Sequence, residues 1–245
     1  MIQRRRTKLD CFVSDLDAND IETPMIRLAD RLNSLGPIIT PSTPLNVAVG
    51  ALGEAGGVIL MSEGTWEIGE QNFYVKYPNT HFVSLSPGNT VIKRNASTSL
   101  VGLVLNADNC SVDGVQFVDY STNTASMLGI LSSSGCTIKN CIFKDVGDGI
   151  TLQNADWFAI QNCDFIDYRE GINSNGGCDY GSIVDNRFRG SAGNDDIQLS
   201  GSDTTIGIVG NVLHWSDGSI DYTNNNMASA ANMKILNVVN NVTER

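Results

Sequence analysis

Hydrophobic and polar residues alternate along most of the chain in short segments that return at a nearly constant interval. The segment Cys136–Phe143 recurs 22 residues later as Phe158–Phe165, with its aliphatic, Asn and aromatic residues in the same order. Weaker copies place the central aliphatic residue of each segment at positions 112, 138, 160, 183 and 208. This interval accommodates two or three short strands and no helix of ten residues. The pattern predicts an all-β solenoid, in which each coil buries its inward side chains only against neighbouring coils.

A second strand is predicted about ten residues before each of these segments. Its inward residue is an isoleucine that follows a small or acidic residue, at positions 130, 150, 172, 197 and 220. With period-two alternation, the residues on either side of each isoleucine are expected to face outward. The outward set includes Gly149, Gly171, Asp196, Thr151, Asn173, Gln198 and Asp221.

The Asn and Cys residues of the repeat are assigned to its bends and its core. Asn140, Asn162 and Asn211 are predicted at or beside bends, where Asn tolerates left-handed backbone geometry and its amide bonds to the next coil. Register places Cys110 against Cys136 and Cys141 against Cys163. With two His in the chain and no CxxC pair, a zinc site is excluded. We expect buried thiols rather than disulfides.

Two motifs precede the repeat. Thr43-Pro44 predicts an N-cap and first residue of a short helix that extends to Leu52. The segment Gly56–Trp66 predicts an entry strand. Together with the repeat, these motifs resemble the pectate-lyase-like right-handed parallel β-helix superfamily over residues 43 to 242. The resemblance implies a single-stranded right-handed parallel β-helix whose open end is covered by the helix.

The predicted organisation is an arm of residues 1–42 followed by a β-helix of residues 43–245 with an N-terminal capping helix. Thr23-Pro24 begins a helix in the arm, Gly36-Pro37 ends it, and residues 38–42 are expected to form a linker. The superfamily includes pectate lyases, polygalacturonases, phage tailspikes and non-catalytic virion proteins. The resemblance therefore implies the fold without selecting the function.

Charge is unevenly distributed. The net charge is -11, and four cations near the N-terminus leave -15 on the rest; these are Arg4, Arg5, Arg6 and Lys8. An acidic body is expected to bind neither nucleic acid nor anionic membranes. The basic arm is interpreted as an anchor to an acidic partner, with a solvated terminus as the alternative. Because no apolar segment follows the basic residues, no signal peptide is expected and synthesis is assigned to a host cytoplasm.

Candidate catalytic residues are Asp195, Asp196 and Asp221. The run Asn194-Asp195-Asp196 resembles the polygalacturonase Gly-Asp-Asp motif, although the Gly-His-Gly and Arg-Ile-Lys motifs of that family are missing. Strand spacings place the Cα atoms of Asp196 and Asp221 about 8 Å apart, within the carboxyl separation of inverting glycosidases.

Other candidate sites are weaker. Asp148, Glu170 and Asp195 stack in one column, which is interpreted as an acidic turn ladder needing a compensating charge, or as a calcium site. No cofactor is otherwise expected. The candidate glycan-binding residues are Asn173, Gln198 and Trp215.

Two hypotheses follow. The first is a non-catalytic phage virion protein, a capsid decoration or spike component, which is a homotrimer and joins other virion proteins through its arm. The alternative is a polysaccharide hydrolase or lyase, and a glycan-binding tailspike that recognises host surface polysaccharide lies between them.

Overall fold

The computed structural model describes nine ranges: residues 36–69, 72–94, 101–119, 126–190, 195–200, 205–213, 220–224, 238–239 and 242–243. The compact unit that contains the described strands runs from Ile38 to Arg245. The helix predicted within the arm lies outside the described ranges. The helices in these ranges include none with the length and apolarity that a bilayer crossing requires.

Every described strand pairs in parallel, with strands numbered in chain order. One sheet has the order β1 (Ile38–Ile39), β2 (Gly57–Met61), β5 (Thr80–Ser84), β8 (Ser111–Asp113), β11 (Thr137–Lys139), β13 (Ala159–Gln161), β15 (Ser182–Val184), β18 (Gly207–Val209) and β21 (Val238–Val239). The second has the order β22 (Val242–Thr243), β19 (Val212–Leu213), β16 (Arg187–Arg189), β14 (Asp164–Ser174), β12 (Ile142–Asp156), β10 (Ser126–Ser134), β7 (Leu103–Leu105) and β4 (Phe73–Val75).

Two shorter series of strands branch from this second sheet. In the first series, β3 (Gly64–Ile68) pairs with β6 (Thr90–Arg94), and β6 pairs with β9 (Gln116–Asp119). Strand β9 in turn pairs with β12. In the other series, β14 pairs with β17 (Asp195–Ser200), and β17 pairs with β20 (Ile220–Asn224). Each coil pairs only with the coils before and after it, as the repeat predicts. The fold is all-β, a right-handed parallel β-helix.

Helix α1 (Leu45–Leu52), followed by a 3₁₀ turn at Gly53–Ala55, precedes the entry strand. Its buried residues are Leu45, Ala48 and Val49. The helix starts one residue later than predicted: Pro44 is the N-cap residue, because its ψ of 138° is extended rather than helical. The linker prediction for residues 38–42 is wrong at its start, since β1 pairs with β2 and Ile39 is 4% exposed.

The interior is built from columns of side chains that repeat from coil to coil. The aliphatic column predicted from the repeat is confirmed: Val112, Ile138, Ile160, Ile183 and Ile208 are all fully buried and pair in register. The predicted cysteine columns are also confirmed, and the four thiols are free and buried. The column of Cys141 and Cys163 continues in the next two coils with the buried amides of Asn186 and Asn211.

The bends repeat in the same way. Asn140 and Asn162 have φ values of 55° and 51°, and Asn162 Nδ2 donates to Asn140 Oδ1 at 2.8 Å, so the predicted amide ladder is present. Asn211 lies beside its bend, which Gly210 forms with a φ of 69°. One register differs from the prediction: Leu128, not Ile130, pairs with Ile150, while Ile130 pairs with Leu152.

Candidate functional site

The outer face of β10, β12, β14 and β17 carries two parallel columns of polar residues. The first column, in register, is Ser126, Asp148, Glu170 and Asp195. The second column, three residues further along each strand, contains Thr151, Asn173 and Gln198. Side-chain hydrogen bonds join the columns within a coil: Asn173 Nδ2 donates to Glu170 Oε2, and Gln198 Nε2 donates to Asp195 Oδ2 at 3.3 Å.

Between these columns lies a position that faces the interior of the solenoid. A Cβ on Gly149 would lie 2.8 Å from the ring of Phe165, and one on Gly171 would lie 2.6 Å from the ring of Phe188. Asp196 occupies the equivalent position in the next coil and is fully buried. The outward orientation predicted for Gly149, Gly171 and Asp196 is therefore wrong. The alternation is interrupted there, since the isoleucine that follows each of these positions is buried as well.

Asp196 is held inside the solenoid by a tyrosine. The hydroxyl of Tyr168, a residue that is 3% exposed, donates to Asp196 Oδ1. Burial raises the pKa of Tyr168, and its hydrogen bond to Asp196 raises the pKa further, so the hydroxyl keeps its proton and remains a donor. A carboxylate in this position has no contact with solvent, and a glycosidic bond outside the coil cannot reach it.

Arg169 supplies the positive charge that the stacked carboxylates were predicted to need. Its guanidinium donates to Asp148 Oδ1 and to Glu170 Oε1. Ser126 Oγ adds a hydrogen bond to Asp148 Oδ2 at 3.4 Å. The carboxylates of neighbouring coils thus share one cation, which offsets their mutual repulsion at the spacing of about 4.8 Å between strands.

Burial dominates the titration of these two acids. It raises the pKa of Asp148 above 3.8, against the opposing effect of Arg169. It also raises the pKa of Glu170 above 4.5, and the charge of Asp148 raises that pKa further, while Arg169 lowers it. Both carboxyls therefore bind protons more tightly in the folded chain than in the unfolded chain.

This difference predicts a pH-dependent effect of Glu170→Gln on stability. A raised folded pKa contributes stability below the unfolded pKa, and that contribution is lost as pH rises through the folded pKa. We therefore expect the free energy of unfolding of Glu170→Gln to increase, relative to the unchanged chain, as pH rises from 4 through the folded pKa. Urea unfolding of both chains at a series of pH values measures this difference in the free energy of unfolding. Glu67→Gln, in a side chain that is 63% exposed, is the matched control. A difference that falls with pH would contradict the raised pKa.

Among the residues that the structure describes, no group of three or more His, Cys, Asp or Glu side chains is arranged to hold a metal ion. The oxygens of Asp148 and Glu170 face the Arg169 guanidinium instead. The geometry of Asp148 and Glu170 is thus that of an ion-paired ladder.

The other predicted site residues fall into two groups. Asp195, Asn173 and Gln198 are partly exposed on the outer face, and the backbone of Asp221 pairs with Gln198 one coil further on, as the strand spacing predicts. Some candidates lie outside the described ranges; these are Trp215, Arg4, Arg5, Arg6 and Lys8.

A cavity of about 800 Å³ lies away from this polar face, beside α1 and β3. Pro44, Leu45, Trp66 and Phe73 border it. The described residues around it include none of the candidates predicted from the sequence.

An exposed aromatic pair escaped the sequence analysis. Trp157 and Tyr180 stack on each other in consecutive coils, with ring centroids 4.5 Å apart and planes at 12°. They are 63% and 50% exposed. Their position in the repeat is the signal by which the sequence could have revealed them. Each aromatic residue lies one residue before the first inward residue of its copy of the repeat, and the copy before that of Trp157 has Gly135 at this position.

Comparisons with known proteins agree with this architecture. No family model matches the chain, and no curated protein matches it. Solved structures do match. An alginate lyase from Paenibacillus sp. str. FPU-7 is 15% identical with a TM-score of 0.59, over 74% of this chain and 68% of that one.

Two further structures match at similar levels. The catalytic domain of a GH87 α-1,3-glucanase in complex with nigerose is 14% identical with a TM-score of 0.53, over 73% of this chain and 38% of that one. ORF18 of Geobacillus virus E2 is 10% identical with a TM-score of 0.56, over 81% of this chain and 52% of that one. The chain thus spans well under two thirds of the glucanase and phage structures. At these identities a likeness shows the fold alone, and the chain is therefore a parallel β-helix protein, as its resemblance to the pectate-lyase-like superfamily implied.

Proposed function

We propose that the chain is a non-catalytic structural protein of a phage virion, a decoration or spike component that presents its β-helix outward. In this proposal residues 1–42 attach it to other virion proteins, through Arg4, Arg5, Arg6 and Lys8. The protein acts as a homotrimer. The likeness to a phage protein supports this assignment, and so does the division of charge between a basic arm and an acidic body.

The observation that carries the proposal is the state of the acidic residues on and beside the outer face. Asp196, one member of the predicted catalytic pair, is buried and hydrogen-bonded to Tyr168. Asp148 and Glu170 are ion-paired with Arg169. Carboxylates that are held in this way are occupied by contacts between neighbouring coils, as is expected of a rigid structural element.

Reversing the four charges of the arm tests the attachment. We expect the full-length variant with Glu at positions 4, 5, 6 and 8 to enter virus particles at least about tenfold less than the unchanged chain, since an acidic partner then repels it. The control is Lys76→Glu with Lys144→Glu, which reverses two exposed charges of the β-helix. Quantitative mass spectrometry of purified particles gives the copy number. Equal incorporation of both variants would contradict the anchor. The homotrimer is tested separately by sedimentation equilibrium of the unchanged protein, where a mass equal to that of one chain would contradict it.

A second candidate function is a polysaccharide hydrolase or lyase. It is favoured by Glu170, a partly buried acid with a raised pKa on the outer face, beside Asp195 of the next coil. The test is a screen of the full chain on capsular, pectic and lipopolysaccharide substrates, with and without calcium. Turnover that disappears in Glu170→Gln or Asp221→Asn, and persists in Glu67→Gln, would overturn the non-catalytic proposal.

A further inference from the structure

Trp157 and Tyr180 form an exposed aromatic pair on one edge of the solenoid. Each ring stacks on the other across consecutive coils, so one face of Trp157 is covered by Tyr180. The remaining surface of Trp157 is open, and 63% of the residue is exposed. Large aromatic side chains lose favourable burial when they project from a coil in this way.

The backbone conformation at these positions is also unfavourable for aromatic residues. Trp157 and Tyr180 have φ values of 53° and 55°, in the left-handed region. The same bend in earlier coils is formed by residues that suit this region, namely Asn79, Asn109 and Gly135. Bulky residues rarely adopt left-handed geometry, and such strained positions concentrate at binding and catalytic sites. Packing of the coils does not require aromatic residues here, so a ligand is the simplest reason for them.

The bend residue next to the uncovered face of Trp157 has no side chain. That face points away from Tyr180, toward the preceding coil, where the bend residue is Gly135; Gly135 N donates to Asp156 O at 2.9 Å. The amide of Asn109, one coil further back, occupies the space beside Gly135, since its Oδ1 lies 2.4 Å from the position that a Cβ would take. The bend that Trp157 faces is thus bordered by a glycine and by an amide oxygen.

Polar groups surround the aromatic surface and indicate the class of ligand. Asp108 is exposed, and its Oδ1 accepts a hydrogen bond from Ser134 N at 2.8 Å, which holds the carboxylate beside the residue that precedes Gly135. Asp156 and Asp179 precede the two aromatic residues. A pyranose ring fits this arrangement, since its C–H face packs on an aromatic face while its hydroxyls donate to carboxylate and amide oxygens. The same acids repel uronic and sulfated sugars.

We propose that Trp157, the bend without a side chain at Gly135 and the polar groups of Asp108 and Asn109 form a binding subsite for a neutral pyranose residue of a polysaccharide. The subsite is separate from the outer acidic face of β12, β14 and β17. It does not rest on the virion role, because it would serve a structural spike and an enzyme equally.

The test uses the full chain and a panel of hexasaccharides in isothermal titration calorimetry. The neutral members are glucan, mannan and galactan hexamers, the anionic members are guluronate and galacturonate hexamers, and the cationic member is the glucosamine hexamer. We expect saturable binding of a neutral hexamer. Trp157→Ala should weaken that binding at least about tenfold, as loss of a stacking contact does.

Two further variants separate the subsite from general effects on folding. Gly135→Asn keeps the aromatic pair and tolerates the left-handed bend, but its side chain must displace the Asn109 amide from the subsite, so it should weaken binding to the same extent. Tyr180→Phe keeps both rings and should bind within about twofold of the unchanged chain. Leu85→Ala removes another exposed apolar side chain, 52% exposed, and should have no effect on binding.

Three results would overturn the proposal. One is that no neutral hexasaccharide binds, and another is that the uronate or glucosamine hexamers bind more tightly than every neutral one. The third is that Trp157→Ala and Gly135→Asn, with far-ultraviolet circular dichroism matching the unchanged chain, bind the neutral hexamer with full affinity. Binding lost in both variants and kept in Leu85→Ala would support the subsite.

Discussion

Replacing Asp119 by Ala is expected to lower the free energy of unfolding by about 3–5 kcal/mol, because it removes the carboxylate with which a buried guanidinium is paired. Arg94 and Asp119 are each 1% exposed. Arg94 Nε donates to Asp119 Oδ2 at 3.1 Å, and Nη2 donates to the same oxygen. Arg94 Nη1 adds a contact of 3.4 Å to the carbonyl oxygen of Ser126. Asp119 and Ser126 belong to the same coil, so Arg94 links its own coil to the next one inside the solenoid.

The adjacent ion pair provides a matched control. Lys93, the residue before Arg94 on β6, lies 3.9 Å from Glu67, whose side chain is 63% exposed. Glu67→Ala should cost less than about 1 kcal/mol, since water and salt screen an exposed pair. The double variant Arg94→Met with Asp119→Leu should recover most of the loss, because it removes both buried charges together. Equilibrium urea unfolding measures the free energy of unfolding of Asp119→Ala, Glu67→Ala and the double variant. A loss in Asp119→Ala no larger than that in Glu67→Ala would contradict the buried pair.

The sequence pattern alone could not predict this interior ion pair. Thr90, Ile92 and Arg94 are all buried on β6, and strict alternation places Arg94 among the inward residues. An arginine at such a position is ordinarily interpreted as the end of a strand, since an isolated buried charge is costly. Its partner Asp119 is 25 residues away and becomes its neighbour only when β6 and β9 pair in register.

The repeat did predict the features that depend on regular spacing. The inward aliphatic residues from Val112 to Ile208, the cysteine columns and the Asn ladder at Asn140 and Asn162 all follow from a sequence interval that matches one coil. These columns are predictable because neighbouring coils differ by only a few residues in length. Side chains at equal positions in the repeat must then stack.

The errors arose where alternation and register give no information. A shift of two residues preserves the period of two, so the pattern could not distinguish Leu128 from Ile130 as the partner of Ile150. The orientation of Asp196 depends instead on packing: the equivalent Gly149 and Gly171 leave room for the rings of Phe165 and Phe188. Strict alternation predicts that Asp196 faces outward because it is next to the inward Ile197, and the alternation is interrupted at this position.

The largest apolar effect is expected at the centre of the phenylalanine stack. Phe117, Phe143, Phe165 and Phe188 lie in four consecutive coils, with centroid separations of 5.0, 4.8 and 4.7 Å and nearly parallel planes. Phe165 contacts a parallel ring on each side, and Tyr168 packs edge-on at 6.3 Å. Phe165→Ala is therefore expected to lower the free energy of unfolding by about 3–5 kcal/mol, through lost burial and the cavity left behind.

Phe117→Ala separates the contribution of stacking from that of burial. Both phenylalanines are fully buried, but Phe117 is paired in register with Ile92 on one side and stacks on Phe143 on the other. Its replacement should cost about 0.5–1.5 kcal/mol less than that of Phe165, the value of one aromatic pair. Urea unfolding of the two variants, followed by circular dichroism, measures the difference. A larger loss at Phe117 would contradict the stack as the source of stability.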